Sequence, residues 1–227
     1  LLAQTLDTKQ PKLKSPKEQE AVMAIFNAAD PAARITAADN LISKFADSEF
    51  KATALYIATA SSEEINDWEK TVVYADRTLA VDPKNYGVML MLARGYASKT
   101  REFDLDKDEK LAKAEKFANT ALEMLKTAPK LRAEIPDDQW EMQRKNFLSE
   151  GYEALGMSAA TRKKYDDSIK AYKEGLAAVP GNPSLMTRLA QSYLDSKQNE
   201  LAIKTADEVL AMPSLNPQVK NIIEGIK

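Results

Sequence analysis

The chain contains neither cysteine nor histidine, and those two gaps remove much of the familiar chemistry. There can be no thiol nucleophile, no imidazole base, no zinc site with sulfur or imidazole ligands, and no Ser-His or Cys-His couple. Carboxylate, Lys, Tyr and Ser chemistry remains, as does an oxygen-ligand metal site. The lack of Cys also leaves the chain indifferent to redox compartment. Glycine is scarce, 7 in 227 residues, and too scattered for a Gly-rich phosphate loop. No apolar run approaches the roughly 18–20 residues that a bilayer-crossing helix needs. Neither sign of charge dominates, with 32 Lys and Arg against 34 acids and a net charge of -2. A dedicated nucleic-acid binder releases counterions with clustered positive charge, which this balance does not supply globally.

What is present is the composition of an ordinary globular protein, 44% hydrophobic and 29% charged, long enough to bury a sizeable core. Residues 1–15 are polar, Lys-rich and aperiodic, and read as a flexible N-terminal tail. Leu1 opens the chain where Met is usual. Leu-Leu-Ala-Gln-Thr-Leu reads either as the scar of a removed signal peptide, with Ala3 near the cleavage site, or as a boundary without meaning. The first reading makes an exported, periplasmic protein the expectation over a cytoplasmic one. At Ser15 the helix signals begin: Ser15 as N-cap, Pro16 at the first helical position and Glu18 three residues after the cap, a capping box. From there apolar residues recur at spacings of three and four and β-branched alternation is missing, so the fold expected is all-α.

Two stretches are self-similar. Trp68-Glu69-Lys70-Thr71-Val72-Val73-Tyr74-Ala75 runs on to Asp82-Pro83-Lys84-Asn85, and Tyr165-Asp166-Asp167-Ser168-Ile169-Lys170-Ala171-Tyr172 runs on to Val179-Pro180-Gly181-Asn182. Each opens a helix on an aromatic residue, continues with small residues and closes on a Pro turn. The helices before and after them carry Met89, Leu92, Ala93 and Tyr96, then Tyr152, Leu155 and Gly156, then Met186, Leu189, Ala190 and Tyr193. Leu55 to Met89 and Tyr152 to Met186 are each 34 residues. In these residues and this period the chain resembles tetratricopeptide (TPR) repeat proteins of bacterial type.

The resemblance implies a right-handed superhelix of antiparallel helix pairs, about four to five repeats plus a capping helix. The repeats fall near 16–50, 52–85, 86–128 with an insertion, 137–182 with an extended first helix, and 183–214, with the cap at 217–227. Met89 to Tyr152 is 29 residues longer than one period. Nine of those residues fall around Thr100–Asp106, and the other 20 fall after Leu125, where Asp137 and Asp138 open one long helix. The family carries its partners on the first helices. Carried over position by position, that surface holds Thr53, Tyr56, Ala60 and Glu63, then Leu90, Arg94 and Ser98, then Glu150, Glu153 and Met157, and last Thr187, Gln191 and Asp195. The Lys, Asn and Arg slots of the chaperone-tail carboxylate clamp hold Tyr56, Ala60, Glu150 and Ala154 instead, which disfavours chaperone-tail binding.

The expected function is therefore an adaptor that binds a protein or peptide segment on its concave face, through Tyr56, Leu90, Arg94, Glu153, Met157, Thr187 and Gln191. An exported TPR protein of cell-envelope assembly is the alternative, from the similarity of Leu41–Phe50 to the helix exits of outer-membrane assembly lipoproteins. No catalytic residue, cofactor or metal is expected. Asp104, Asp106 and Asp108 alternate as in a calcium loop but lack its central Gly and terminal Glu. The basic turn Arg162-Lys163-Lys164 could meet phosphate or an acidic partner, although helix turns are commonly polar. Phe103 and Leu105 make the insertion a second possible docking element.

Overall fold

A computed structural model of the chain describes residues 11–131 and 134–226. Among these residues there is no strand, and eleven helices follow one another: α1 (Pro16–Phe26), α2 (Pro31–Lys44), α3 (Lys51–Glu64), α4 (Trp68–Val81), α5 (Tyr86–Lys99), α6 (Lys107–Lys126), α7 (Asp137–Thr161), α8 (Tyr165–Ala178), α9 (Pro183–Asp195), α10 (Asn199–Leu210) and α11 (Pro217–Glu224). No helix among the described residues is long and apolar enough to cross a membrane.

Short polar side chains start many of these helices. Ser15, Asp30, Asp67, Asn182 and Asn216 each accept a hydrogen bond from a backbone N–H in the first turn, and Pro follows directly in α1, α2, α9 and α11. Such caps satisfy donors that the helix itself leaves open, each worth about 1 kcal/mol. The capping box at α1 is built with one change. Ser15 accepts from the Glu18 N–H at 3.1 Å, while the Glu18 carboxylate reaches past Ser15 to the Lys14 N–H at 2.6 Å.

The residues before α1 depart from the expected loose tail. Residues 1–10 lie outside the described residues, but 11–15 are fastened to the loop after α2. The Lys12 N–H donates to Glu49 Oε2 at 2.9 Å, and the Lys14 ammonium reaches both the carboxylate and the carbonyl of Asp47. Ser48 Oγ accepts the Phe50 N–H, and its hydroxyl beside buried Glu18 holds that carboxyl below the usual carboxylate range.

Three helix pairs are closed by the same turn. Asn66, Lys163 and Lys197 stand in the left-handed region with φ near 60°. Around each, the residue's own N–H bonds three residues back and the next N–H bonds five back, as in Asp67 N to Ser62 O, Lys164 N to Ala159 O and Gln198 N to Tyr193 O. This is the Schellman closure, here at non-glycine residues that accept about 1 kcal/mol of backbone strain. Lys163 and Lys197 lie one 34-residue period apart. One period after Asn66 the chain reaches Thr100, where the turn is replaced by the insertion up to α6.

By internal packing the chain divides into two compact units, Leu1–Leu92 with Lys126–Trp140, and Ala93–Leu125 with Glu141–Lys227. In the first, α1 packs on α2, α2 on α3 and α3 on α4. Val22, Ile25, Ala38, Leu41, Leu55, Ala58 and Ala75 form its interior. Tyr74 is buried with them and donates to Asp39 Oδ2 at 2.6 Å, and burial first, then this bond, pushes its phenol up to about 12. In the second unit Ala93, Ala118 and Ala154 meet from α5, α6 and α7. Further on, Ile169, Tyr172, Leu185, Leu189, Tyr193 and Val209 join with Ile223 and Ile226, so that α11 covers α9 and α10. Each fully buried Leu or Ile here contributes about 2 kcal/mol.

Small residues set how closely the helices approach. α7 runs unbroken for 25 residues, with Asp137 and Asp138 suiting the positive end of its dipole. Gly156, within it, lies under the Tyr172 ring of α8. A Cβ at 156 would stand 2.3 Å from Tyr172 Cε1, in a ring only 2% exposed. An exposed helical Gly gains about 1 kcal/mol on replacement by Ala. Here the sign reverses. Gly156→Ala is expected to lower the urea midpoint, with a loss of about 1–3 kcal/mol from overpacking and an unchanged m-value. An unchanged or raised midpoint would show that the α7–α8 contact is looser than described.

Candidate partner-binding site

In the first unit, the last turn of α1 and one face of α3 enclose a half-open cavity of about 200 Å³. Ile25 and Phe26 come from α1, Arg34 from α2, and Tyr56, Ile57, Ala60, Ser61 and Glu64 from α3. The floor is apolar and fixed: Ile25, Tyr56 and Ile57 are buried, so their rotamers are held by the core. Phe26, 41% exposed, flanks the mouth. The small side chain of Ala60, one helical turn after Tyr56, leaves the space open. The rim carries a closed pair of charges. Arg34 Nε donates to Ser61 Oγ at 3.0 Å, and its Nη2 donates to the Glu64 carboxylate. A preformed apolar recess with a few placed polar groups is what a ligand pocket requires.

Of the residues expected to carry a partner, only Tyr56 lines this recess, together with Ala60. The others do not line it. Leu90 is fully buried, and Met157 and Thr187 are 6% and 8% exposed. The Thr187 hydroxyl donates to the Pro183 carbonyl one turn back. Arg94 lies 3.7 Å from the Glu150 carboxylate. Glu153 accepts from Arg188 Nε at 2.8 Å and from the Ser184 hydroxyl at 3.0 Å, and the Gln191 amide donates to Asp195. Within the second unit these residues bridge successive first helices, Arg94–Glu150 from α5 to α7 and Glu153–Arg188 from α7 to α9.

The basic turn after α7 is also used internally. Arg162 pairs with Glu115 of α6 and contacts Asp108, and Lys163 reaches Glu102 at 2.5 Å. The acids of the insertion are engaged as well, Asp106 by Lys110 at 2.9 Å and Asp104 by the Arg101 N–H at 3.0 Å. A larger cavity of about 390 Å³ lies in the second unit against α6, α7 and α8. Its walls mix Glu115, Lys164, Asp167, Lys170 and Glu174 around Tyr152 and Leu155, and no one ligand chemistry fits that mixture. Sequence reasoning missed Ile25, Phe26 and Arg34. The signal was Phe26, an aromatic on the last turn of a helix whose apolar face already ends in Ile25.

Stacked antiparallel helix pairs closed by a recurrent turn define the class as helical-repeat proteins. Residues 159–224 match the tetratricopeptide repeat family. No curated protein matches the sequence. Among solved structures, a thermophilic TPR protein of Thermus thermophilus, TTC0263, is 14% identical with a TM-score of 0.62, over 92% of this chain and 98% of that one. A MamA RS-1 double mutant is 10% identical with a TM-score of 0.64, over 92% and 97% of the two chains. A further MamA structure is 11% identical with a TM-score of 0.63, over 88% and 98%. At these identities the likeness is one of fold. The fold that these structures share with the chain is the tetratricopeptide-repeat fold, and the family match itself covers residues 159–224.

The Glu153–Arg188 bridge generates a stability test. Glu153 has 17% of its side chain exposed and Arg188 40%, so solvent screens the pair only in part. In a double-mutant cycle of Glu153→Ala and Arg188→Ala, urea unfolding is expected to give a coupling of about 1 kcal/mol. Strictly additive effects would mean that the bridge does not tie α7 to α9.

Proposed function

We propose that the chain is a protein-interaction scaffold that seats an apolar side chain of a partner segment in the α1–α3 recess. One observation carries the reading: a preformed cavity of about 200 Å³ with an immobile apolar floor and a rim whose charges are already paired. A cavity of about 150 Å³ suffices for benzene, so a Phe, Leu or Met side chain suits this one. Such anchors, buried in a desolvated pocket, supply most of the energy of a small interface. The Arg34–Glu64 pair flanks the mouth with its charges already matched. Protein partners are the general business of TPR folds, and Tyr56 lies on the first-helix face to which the family resemblance assigns them.

The experiment is to pan a random-peptide library on the whole chain and to measure the recovered peptides against Ala60→Trp. Ala60 is at the wall and only partly buried, so the indole fills the recess without entering the core. Tyr56→Ala is a poorer probe, because Tyr56 is 6% exposed and its removal costs about 3 kcal/mol of stability. Peptides sharing one aromatic or aliphatic anchor are expected, with affinity reduced at least tenfold by Ala60→Trp and the melting temperature nearly unchanged. Peptides that bind Ala60→Trp as well as the parent chain, and lose binding on removal of residues 101–106, would move the site to the insertion.

A further inference from the structure

We propose that Glu18 and residues 11–15 form a clasp that holds α1 in place, and that acid opens the clasp and frees the wall that α1 lends to the recess. The proposal concerns the regulation of that recess and rests on reading it as a binding pocket. α1 has little else to hold it. At 11 residues it is shorter than the roughly 12–15 at which an isolated helix becomes marginal in water, so its packing decides whether it forms. Only Glu18, Val22 and Ile25 of its side chains are buried, while Met23 and Phe26 are 47% and 41% exposed. A helix with two buried apolar anchors belongs to the part of a protein that opens locally, well below the cost of global unfolding. Yet Ile25 and Phe26 are the residues through which α1 bounds the recess.

The third buried side chain is a carboxylate. Glu18 is 1% exposed, and a carboxylate so placed persists only where it is paired and hydrogen-bonded. The clasp supplies both. The Lys14 N–H donates to Glu18 Oε2 at 2.6 Å, and the Ser48 hydroxyl donates to the same carboxylate. Ser48 is itself buried, its N–H on the Phe45 carbonyl at 2.9 Å and its Oγ accepting the Phe50 N–H at 3.1 Å. The loop after α2 is thus a fixed anchor. The charged groups that face Glu18 are Lys14, from the segment before α1, and Asp47, from the loop. The Lys14 ammonium is bonded to Asp47 at 2.7 Å and faces Glu49, which accepts the Lys12 N–H at 2.9 Å. One carboxylate therefore joins three pieces of chain. The Ser48 hydroxyl first, and then the Lys14 N–H, hold its carboxyl below the usual range, and Lys14 does the same to Asp47. Both groups stabilise the closed clasp fully above the unfolded carboxylate range, about pH 4. That contribution is lost as the pH falls through their lowered values.

Amide hydrogen exchange read by NMR on the whole chain, at about pH 7 and about pH 3 and corrected for intrinsic rates, tests the clasp. Lys14 reports on the clasp and Ile25 on α1, with Ala58 of α3 and Ala206 of α10, both fully buried, as controls. Glu18→Gln keeps the shape and an acceptor for the Lys14 N–H but carries no charge. At neutral pH it is expected to lower the protection of Lys14 and Ile25 about tenfold and to leave Ala58 and Ala206 unchanged. In the parent chain, acid is expected to lower Ile25 protection by a similar factor relative to Ala58, and in Glu18→Gln to add little. Lys14→Met, at a side chain 46% exposed, is expected to act in the same direction and serves should the buried amide disturb folding. Unchanged Ile25 protection in both variants, a loss shared equally by Ala58, or an acid response that survives Glu18→Gln in full each overturns the proposal. Saturating N-acetylphenylalaninamide is expected to raise Ile25 protection in Glu18→Gln, because only the closed form has the recess. Ligand that shifts the Ile57 methyl group without slowing that exchange overturns the regulatory link. If the ligand does not bind while Glu18→Gln still frees α1, the clasp stands and the pocket reading falls.

Discussion

Much of this structure depends on one short turn, in which a single residue enters the left-handed region and lets the chain reverse within three residues. Asn66, Lys163 and Lys197 perform it, each with the N–H of the following residue bonded five residues back. Because the reversal is so tight, the two helices it joins lie antiparallel and in contact. Their facing residues must therefore be small. Gly156 under Tyr172, across the pair that Lys163 closes, is the extreme case. The residues at the turn accept local strain, and the packing energy of the helices it brings together offsets that strain many times over.

The same frame accounts for where the chain is free to do something else. One period after Asn66 the turn is absent, and the insertion at Thr100–Asp106 fills its place. It is held at its base by ions from two directions, Lys163 and Lys110, while its tip stands in solvent. The first-helix residues of the second unit go the other way. Arg94, Glu150, Glu153 and Arg188 tie successive helices together, and Met157 and Thr187 sink between them. Polar positions that the family resemblance makes contact residues are here part of the scaffold's own bonding.

The all-helical fold and its repeat character were legible in the sequence because they rest on local signals. Ser15-Pro16, Asp30-Pro31, Asn182-Pro183 and Asn216-Pro217 mark helix starts by chemistry that acts within one turn. Spacings of three and four mark the buried faces, and the 34-residue recurrence marks the repeat. The candidate recess was only partly legible. Tyr56 and Ala60 follow from the resemblance, but the recess also needs Ile25 and Phe26 from a helix that matches the repeat poorly, and Arg34 from another. Which groove residues pair across helices is a matter of distances between chain segments more than 30 residues apart, as with Glu153 and Arg188. No local pattern encodes that. The fate of Arg162 and Lys163 was hidden for the same reason.

The central claim is that the α1–α3 recess is an accessible apolar pocket that takes one aromatic side chain. Methyl NMR on the isoleucine-labelled chain, titrated with N-acetylphenylalaninamide, addresses it most directly. The account predicts saturable shifts of the Ile25 and Ile57 methyl groups, which line the recess, and none at Ile169 or Ile223 in the second unit's core. Unmoved Ile25 and Ile57 signals at saturating ligand, or equal shifts at Ile169 and Ile223, would contradict it.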